Sequence, residues 1–238
     1  MQKIFITLLA FCVMALAAVG DTLVLSSPDA NEQAGYSAFD FVLGSSYLTP
    51  SDAKQLTSAK SLNLNSIAII PAKTWYHNSA KGAGLAIYRK TSAKAWSYVG
   101  RSDWQKDYTI DGTAKVAFNF DNLELSPRDQ YTAVFYANEA AFNALSGQST
   151  LNSLLGEAEP TAKKPIVVMG MKSVNVATAD FSMYGRDGKG RLVERPQSPC
   201  VTFSATPATS ISMPFVIAGV AAIAMLALLG LLMYRRGK

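Results

Sequence analysis

Cysteine and histidine are nearly missing from this chain of 238 residues, which holds two cysteines and one histidine. Cys12 lies in an N-terminal apolar run that is expected to be removed. Cys200 would then stand alone, so an intrachain disulfide is excluded and the fold must be held by packing. Cys200 reads as an incidental thiol, with a disulfide between two copies as the sharper alternative. A zinc centre needs clustered His and Cys ligands, and the lone His77 has no such company. No metal and no other cofactor is expected. One-sided charge is also missing. The formal net charge is +5, but Lys3, Arg235, Arg236 and Lys238 carry most of it, and residues 21–212 hold 18 basic against 17 acidic residues. Nucleic-acid binding relies on clustered Lys and Arg, and so it is excluded as a function class.

Catalytic signatures are absent too. His77 has no Gly-x-Ser-x-Gly elbow to serve, and no acidic pair stands at a recognisable glycosidase motif. Asp103, Asp107 and Asp111 recur at every fourth position, but their spacing is not that of an EF-hand loop, and they read as solvated loop acids. Gly185–Arg191 mixes glycines with cations, yet lacks the strand-to-helix context of a phosphate loop and reads as a hairpin turn. The expectation is a protein that is not an enzyme.

The two ends are strongly patterned. Lys3, an apolar run from Ile4 to Val19, and Ala18-Val19-Gly20 ahead of Asp21 make residues 1–20 a signal peptide, with signal peptidase as the processing partner. Met213–Tyr234 is 22 residues without a charge, long enough to cross a bilayer as a helix. Residues 235–238 (Arg-Arg-Gly-Lys) match the basic flank of a cytoplasmic tail. The expected topology is single-pass in the cell membrane, with the N-terminal domain outside the cytoplasm. Residues 201–212, rich in Ser, Thr, Ala and Pro, are expected to form an extended stalk.

The C-terminal stretch Thr206-Pro207-Ala208-Thr209-Ser210, the apolar run after it and Arg235-Arg236 resemble the sorting tails of exported bacterial proteins of the Pro-Glu-Pro, exosortase-processed type. Ala205 and Thr206 stand where that motif has Pro and Glu. The resemblance implies a sorting protease as a further partner and display at the cell surface after the tail is cut.

Between the ends, residues 21–200 are expected to form one extracytoplasmic domain. Apolar residues alternate at Phe39, Phe41 and Leu43 and at Ala114, Val116, Phe118 and Phe120, the period of strands with one buried face. Further strands are expected over 62–70, 84–90, 95–100, 131–137, 165–171 and 173–184, with Asp111-Gly112 and Asp187-Gly188 at joins that need a positive φ. Thr49–Ala53 starts like a capped turn leading into a helix over 54–59, and 138–155 suits one or two short helices. Many strands and few helices predict an all-β antiparallel β-sandwich. Gly84–Tyr88, Tyr98–Ser102, Phe118–Leu125 and Tyr131–Phe135 resemble β-sandwich modules of exported bacterial surface proteins, which implies a jelly-roll-like form.

Trp75, Tyr76, His77 and Asn78, with Trp104 and Tyr108, are the candidate ligand-binding residues. Aromatic rings beside hydrogen-bonding groups are what sugar recognition uses: a ring face stacks on the apolar face of a pyranose while polar groups read its hydroxyls. Trp96 and Tyr98 share one strand face and either extend that platform or fill the core. The expected function is a membrane-anchored surface protein that binds a carbohydrate or another envelope component. The alternative is a structural or assembly protein of the envelope, contacting other proteins by its edges.

Overall fold

The computed structural model describes residues 21–29, 32–71, 82–92, 95–106, 113–136, 138–147, 169–176, 178–186 and 192–208. The expected signal peptide and the apolar run 213–234 lie outside these residues. Among the described residues no helix is long and apolar enough to cross a membrane.

The elements in chain order are β1 (Leu23–Ser26), β2 (Glu32–Tyr36), β3 (Ala38–Phe41), β4 (Thr49–Pro50), α1 (Ala53–Ser58), β5 (Leu62–Ile69), β6 (Gly84–Ser92) and β7 (Ala95–Arg101). They continue with β8 (Val116–Leu125), β9 (Tyr131–Tyr136), α2 (Glu139–Asn143), β10 (Met169–Val174), β11 (Met183–Arg186), β12 (Leu192–Arg195), β13 (Ser198–Pro199) and β14 (Val201–Pro207). A five-stranded sheet runs β4-β1-β14-β5-β8, a six-stranded sheet β12-β11-β3-β9-β6-β7, and a three-stranded sheet β13-β10-β2. All pairings are antiparallel. The all-β antiparallel expectation holds.

Alternation produces these strands. In β8, Val116, Phe118 and Phe120 are buried while Ala117, Asn119 and Asp121 face solvent. In β5 the buried set is Leu62, Leu64, Ile67 and Ile69, which slips by one residue midway. A bulge between Leu64 and Ser66, where the pairing with β8 shifts, absorbs that slip and returns Ile67 and Ile69 to the inner face. The inner faces of the two large sheets meet in one core, where Phe41 of β3 lies 5.0 Å from Phe203 of β14 and Phe118 of β8 lies 5.9 Å from Phe135 of β9, ring centre to ring centre.

Two strands switch sheets. β2 passes through Ser37 into β3, and β13 passes through Cys200 into β14, while β10 pairs with both β2 and β13. Lys172 of β10 also donates its backbone N–H to Ile70 O just past β5. The three-stranded sheet is thus a corner that ties the two large sheets together.

The stalk expectation is corrected for 201–207. These residues are β14, an inner strand between β1 and β5 with Val201, Phe203 and Ala205 buried. Composition rich in Ser, Thr and Ala hid the alternation, because the small polar residues Thr202 and Ser204 occupy the other face of the sheet. The domain therefore runs past residue 200, to Ala208, whose N–H is held by Ser61 O. Cys200 is correspondingly buried in the sheet corner. The expected helix after Pro50 is α1, whose N-cap Asp52 accepts a hydrogen bond from Gln55 N at 2.9 Å. From the 138–155 segment α2 forms behind the N-cap Asn138, and 148–155 lies outside the described residues.

Candidate functional site

Of the residues singled out for ligand binding, Trp75, Tyr76, His77, Asn78 and Tyr108 lie outside the described residues. Trp104 is half-buried, with its ring 5.5 Å from that of Phe142 in α2. Gly82 has φ +137°, and a Cβ there would fall 2.4 Å from Trp104 Nε1; this turn needs glycine both for its backbone and for the indole against it. Trp96 is only 3 % exposed and sits in a second apolar cluster. Of its two expected roles, the structure gives it packing.

That second cluster covers the outer face of the six-stranded sheet and is unusually polar for a buried layer. Tyr88 and Tyr136 share a 2.7 Å hydrogen bond between their hydroxyls, and Tyr98 meets Tyr88 edge-on at 5.7 Å. A bulge between Ile87 and Tyr88 in the β6–β7 pairing shifts the phase, so Tyr98 pairs with Tyr88 and Arg101 with Ala86. At the layer's centre stands Asp40 of β3, 1 % exposed. Its Oδ1 accepts a short hydrogen bond from the Thr132 hydroxyl, and its Oδ2 accepts from Tyr184 OH at 2.8 Å and from Lys90 Nζ at 3.3 Å. Burial pushes the Asp40 carboxyl above the usual carboxylate range, opposed by the hydrogen bonds from Thr132 and Tyr184 and by the Lys90 charge. Lys90 Nζ also stands 5.9 Å from the centre of the Trp96 ring. Burial raises the hydroxyl pKa of Tyr88 and Tyr184 strongly.

The open site is a cleft of about 490 Å³ along the side of the sandwich where β7 and β8, the end strands of the two large sheets, come together. Val99, Leu125 and Tyr131 supply apolar lining; Arg89, Ser97, Tyr98, Ser61, Glu124, Ser126 and Asp129 add polar groups. Arg89 and Asp129 form an exposed ion pair at 3.9 Å, and the Ser61 hydroxyl donates to Glu124 Oε1 at 2.5 Å. Tyr131 is fixed from below: its hydroxyl accepts from Ser126 N at 2.9 Å. Donors, acceptors and apolar surface in one concavity are the makings of a small-ligand site. The cleft residues were not visible as a group in the sequence, since they come from six separate stretches of chain. The Tyr98 and Tyr131 strands were legible, but nothing in the sequence announces that β7 and β8 meet.

A smaller pocket, about 180 Å³, lies over β1, β5 and β14, where Ser27, Lys115, Cys200 and Thr202 line it. Among the described residues no group of three or more His, Cys, Asp or Glu is placed to hold a metal ion. The phosphate-loop candidate resolves into the hairpin β11–β12, with Arg186 opposite Leu192; residues 187–191 lie outside the described residues. Comparison with protein-family models, with curated proteins and with solved structures finds no match for this chain.

Proposed function

We propose that this chain is an exported, single-pass membrane-anchored protein whose jelly-roll-like sandwich binds a saccharide in the cleft between β7 and β8. The cleft is the observation that carries the proposal: its size falls within the usual range for small-ligand sites of about 300–1,000 Å³, and its lining pairs apolar surface with an Arg, two carboxylates and several hydroxyls. Such groups suit a sugar ring, which offers apolar C–H faces and hydroxyls able both to donate and to accept. The two ends support export and anchoring. β1 starts at Leu23, so all the described strands lie after the expected cleavage site. Leu23 is opposite Ala205 in the β1–β14 pairing, which brings the first and last strands out at the same end of the domain. Passage of the chain back and forth between the two large sheets, as at β7 to β8 and β8 to β9, favours the jelly-roll-like form. A sorting cut at Ala205-Thr206 would fall inside β14, which favours processing of the tail, if it occurs, beyond that strand.

Screening the domain against a glycan array, followed by calorimetry on the best hit, tests this. Replacing Glu124 by Gln or Arg89 by Ala removes a charged hydrogen-bonding group of about 1.5–3 kcal/mol, and so weakens binding roughly ten-fold or more. Absence of glycan binding, with envelope proteins copurifying instead, would replace this proposal by the assembly role.

A further inference from the structure

Asp40 and Lys90 do not line the cleft, and saccharide binding makes no use of them. Their arrangement nevertheless has the elements of a reaction. Nζ of Lys90 lies 3.3 Å from Oδ2 of Asp40, an ion pair that holds the amine beside the carboxyl group whose carbon it would attack. Asp40 is buried, with the buried Tyr184 bonded to it and the buried Trp96 ring beside Lys90, so bulk water is largely kept from the carboxyl carbon. Two hydroxyls already point at the carboxyl oxygens, Thr132 at Oδ1 and Tyr184 at Oδ2. We propose that Lys90 and Asp40 condense in the folded chain to an intramolecular isopeptide bond.

The step balances without any outside reagent. A proton passes from the ammonium of Lys90 to the carboxylate of Asp40, leaving a neutral amine beside a neutral acid. The upward push that burial gives the Asp40 carboxyl favours this transfer. The Nζ lone pair attacks Cγ and the C–N bond forms. Charge develops on Oδ1, where the Thr132 hydroxyl already donates. Tyr184 OH, bonded to Oδ2, relays the second amine proton to that oxygen. The Cγ–Oδ2 bond breaks, and Oδ2 departs as water with the carboxyl proton and the relayed amine proton. The product amide straps β3 to β6 across the intervening β9. It would give this domain a covalent staple that a single remaining cysteine cannot supply.

Peptide mass mapping of the purified folded chain tests the bond. A linked species is expected, in which the peptide holding Asp40 is joined to the one holding Lys90, lighter by one water than the two together and uncut by trypsin after Lys90. Lys90→Arg keeps the cation but removes the amine nucleophile, and is expected to return both peptides unlinked. Recovery of the two unmodified peptides from the wild-type folded protein would overturn the proposal and leave a plain ion pair. Loss of water persisting in Lys90→Arg would overturn it equally, by placing the link elsewhere.

Discussion

Single side chains set how this domain responds to alkali. Every tyrosine among the described residues has its hydroxyl pKa raised, burial being the largest cause in each case. Tyr47 is pushed up to about 12, with the neighbouring Cys200 adding to the effect of burial. An unfolded tyrosine loses its proton near pH 10. Above that pH the unfolded chain binds fewer protons than the folded one, so stability falls as pH rises from about 10 towards 12. Tyrosinate absorbance followed against pH should therefore fall short, just past pH 10, of the amplitude of all ten tyrosines, and complete its rise together with loss of structure. A gradual rise centred near pH 10 in a chain that remains folded would show these hydroxyls to be solvated. At the same scale the sequence was only partly legible. Trp96 and Tyr98 could be placed on one strand face from their spacing, but whether that face was wet or covered depended on Phe142 and Tyr136, far away in the chain.

At the scale of elements, local chemistry was the most readable part. Thr49–Ala53 reads as a capped turn in the sequence, and the structure makes Asp52 the N-cap; Asp52→Ala should destabilise the domain by about 1 kcal/mol, measurable as a lowered urea midpoint at unchanged slope. No change would mean that α1 is held by its neighbours and not by its cap. Strands with strict alternation, such as β8, were equally plain. β5 was found despite its slip in phase, but the bulge that reconciles Leu64 with Ile67 required the partner strand β8 to be known. β14 was missed for a different reason. Val201, Phe203 and Ala205 alternate as cleanly as any strand, yet Ser, Thr and Pro between and after them resemble linker composition. A strand whose outward face is small and polar is easily confused with a spacer.

For the whole molecule, the placement of β14 has the largest consequence. Because it lies between β1 and β5, a chain spanning residues 21–200 lacks an inner strand of the five-stranded sheet and Phe203, one of the rings packed on Phe41. It should fail to fold, whereas one spanning 21–208 should fold cooperatively, which circular dichroism and thermal melting would distinguish. Equal folding of both would contradict the topology. The fold class was legible because alternation, turn residues and scarcity of helix signals agree with one another. Sheet order and the cleft were not, since each depends on pairings between segments distant in the chain, such as β1 with β14, and on which edges close upon each other.

Saccharide recognition at the β7–β8 cleft is tested most directly by titrating the isotopically labelled domain with the best glycan hit and following its amide resonances. The expected result is saturable shifts concentrated at Ser61, Arg89, Ser97, Tyr98, Glu124 and Asp129, and lost in Glu124→Gln. Shifts confined to Trp75–Asn78 and Tyr108, or no saturable shifts with any glycan, would contradict it.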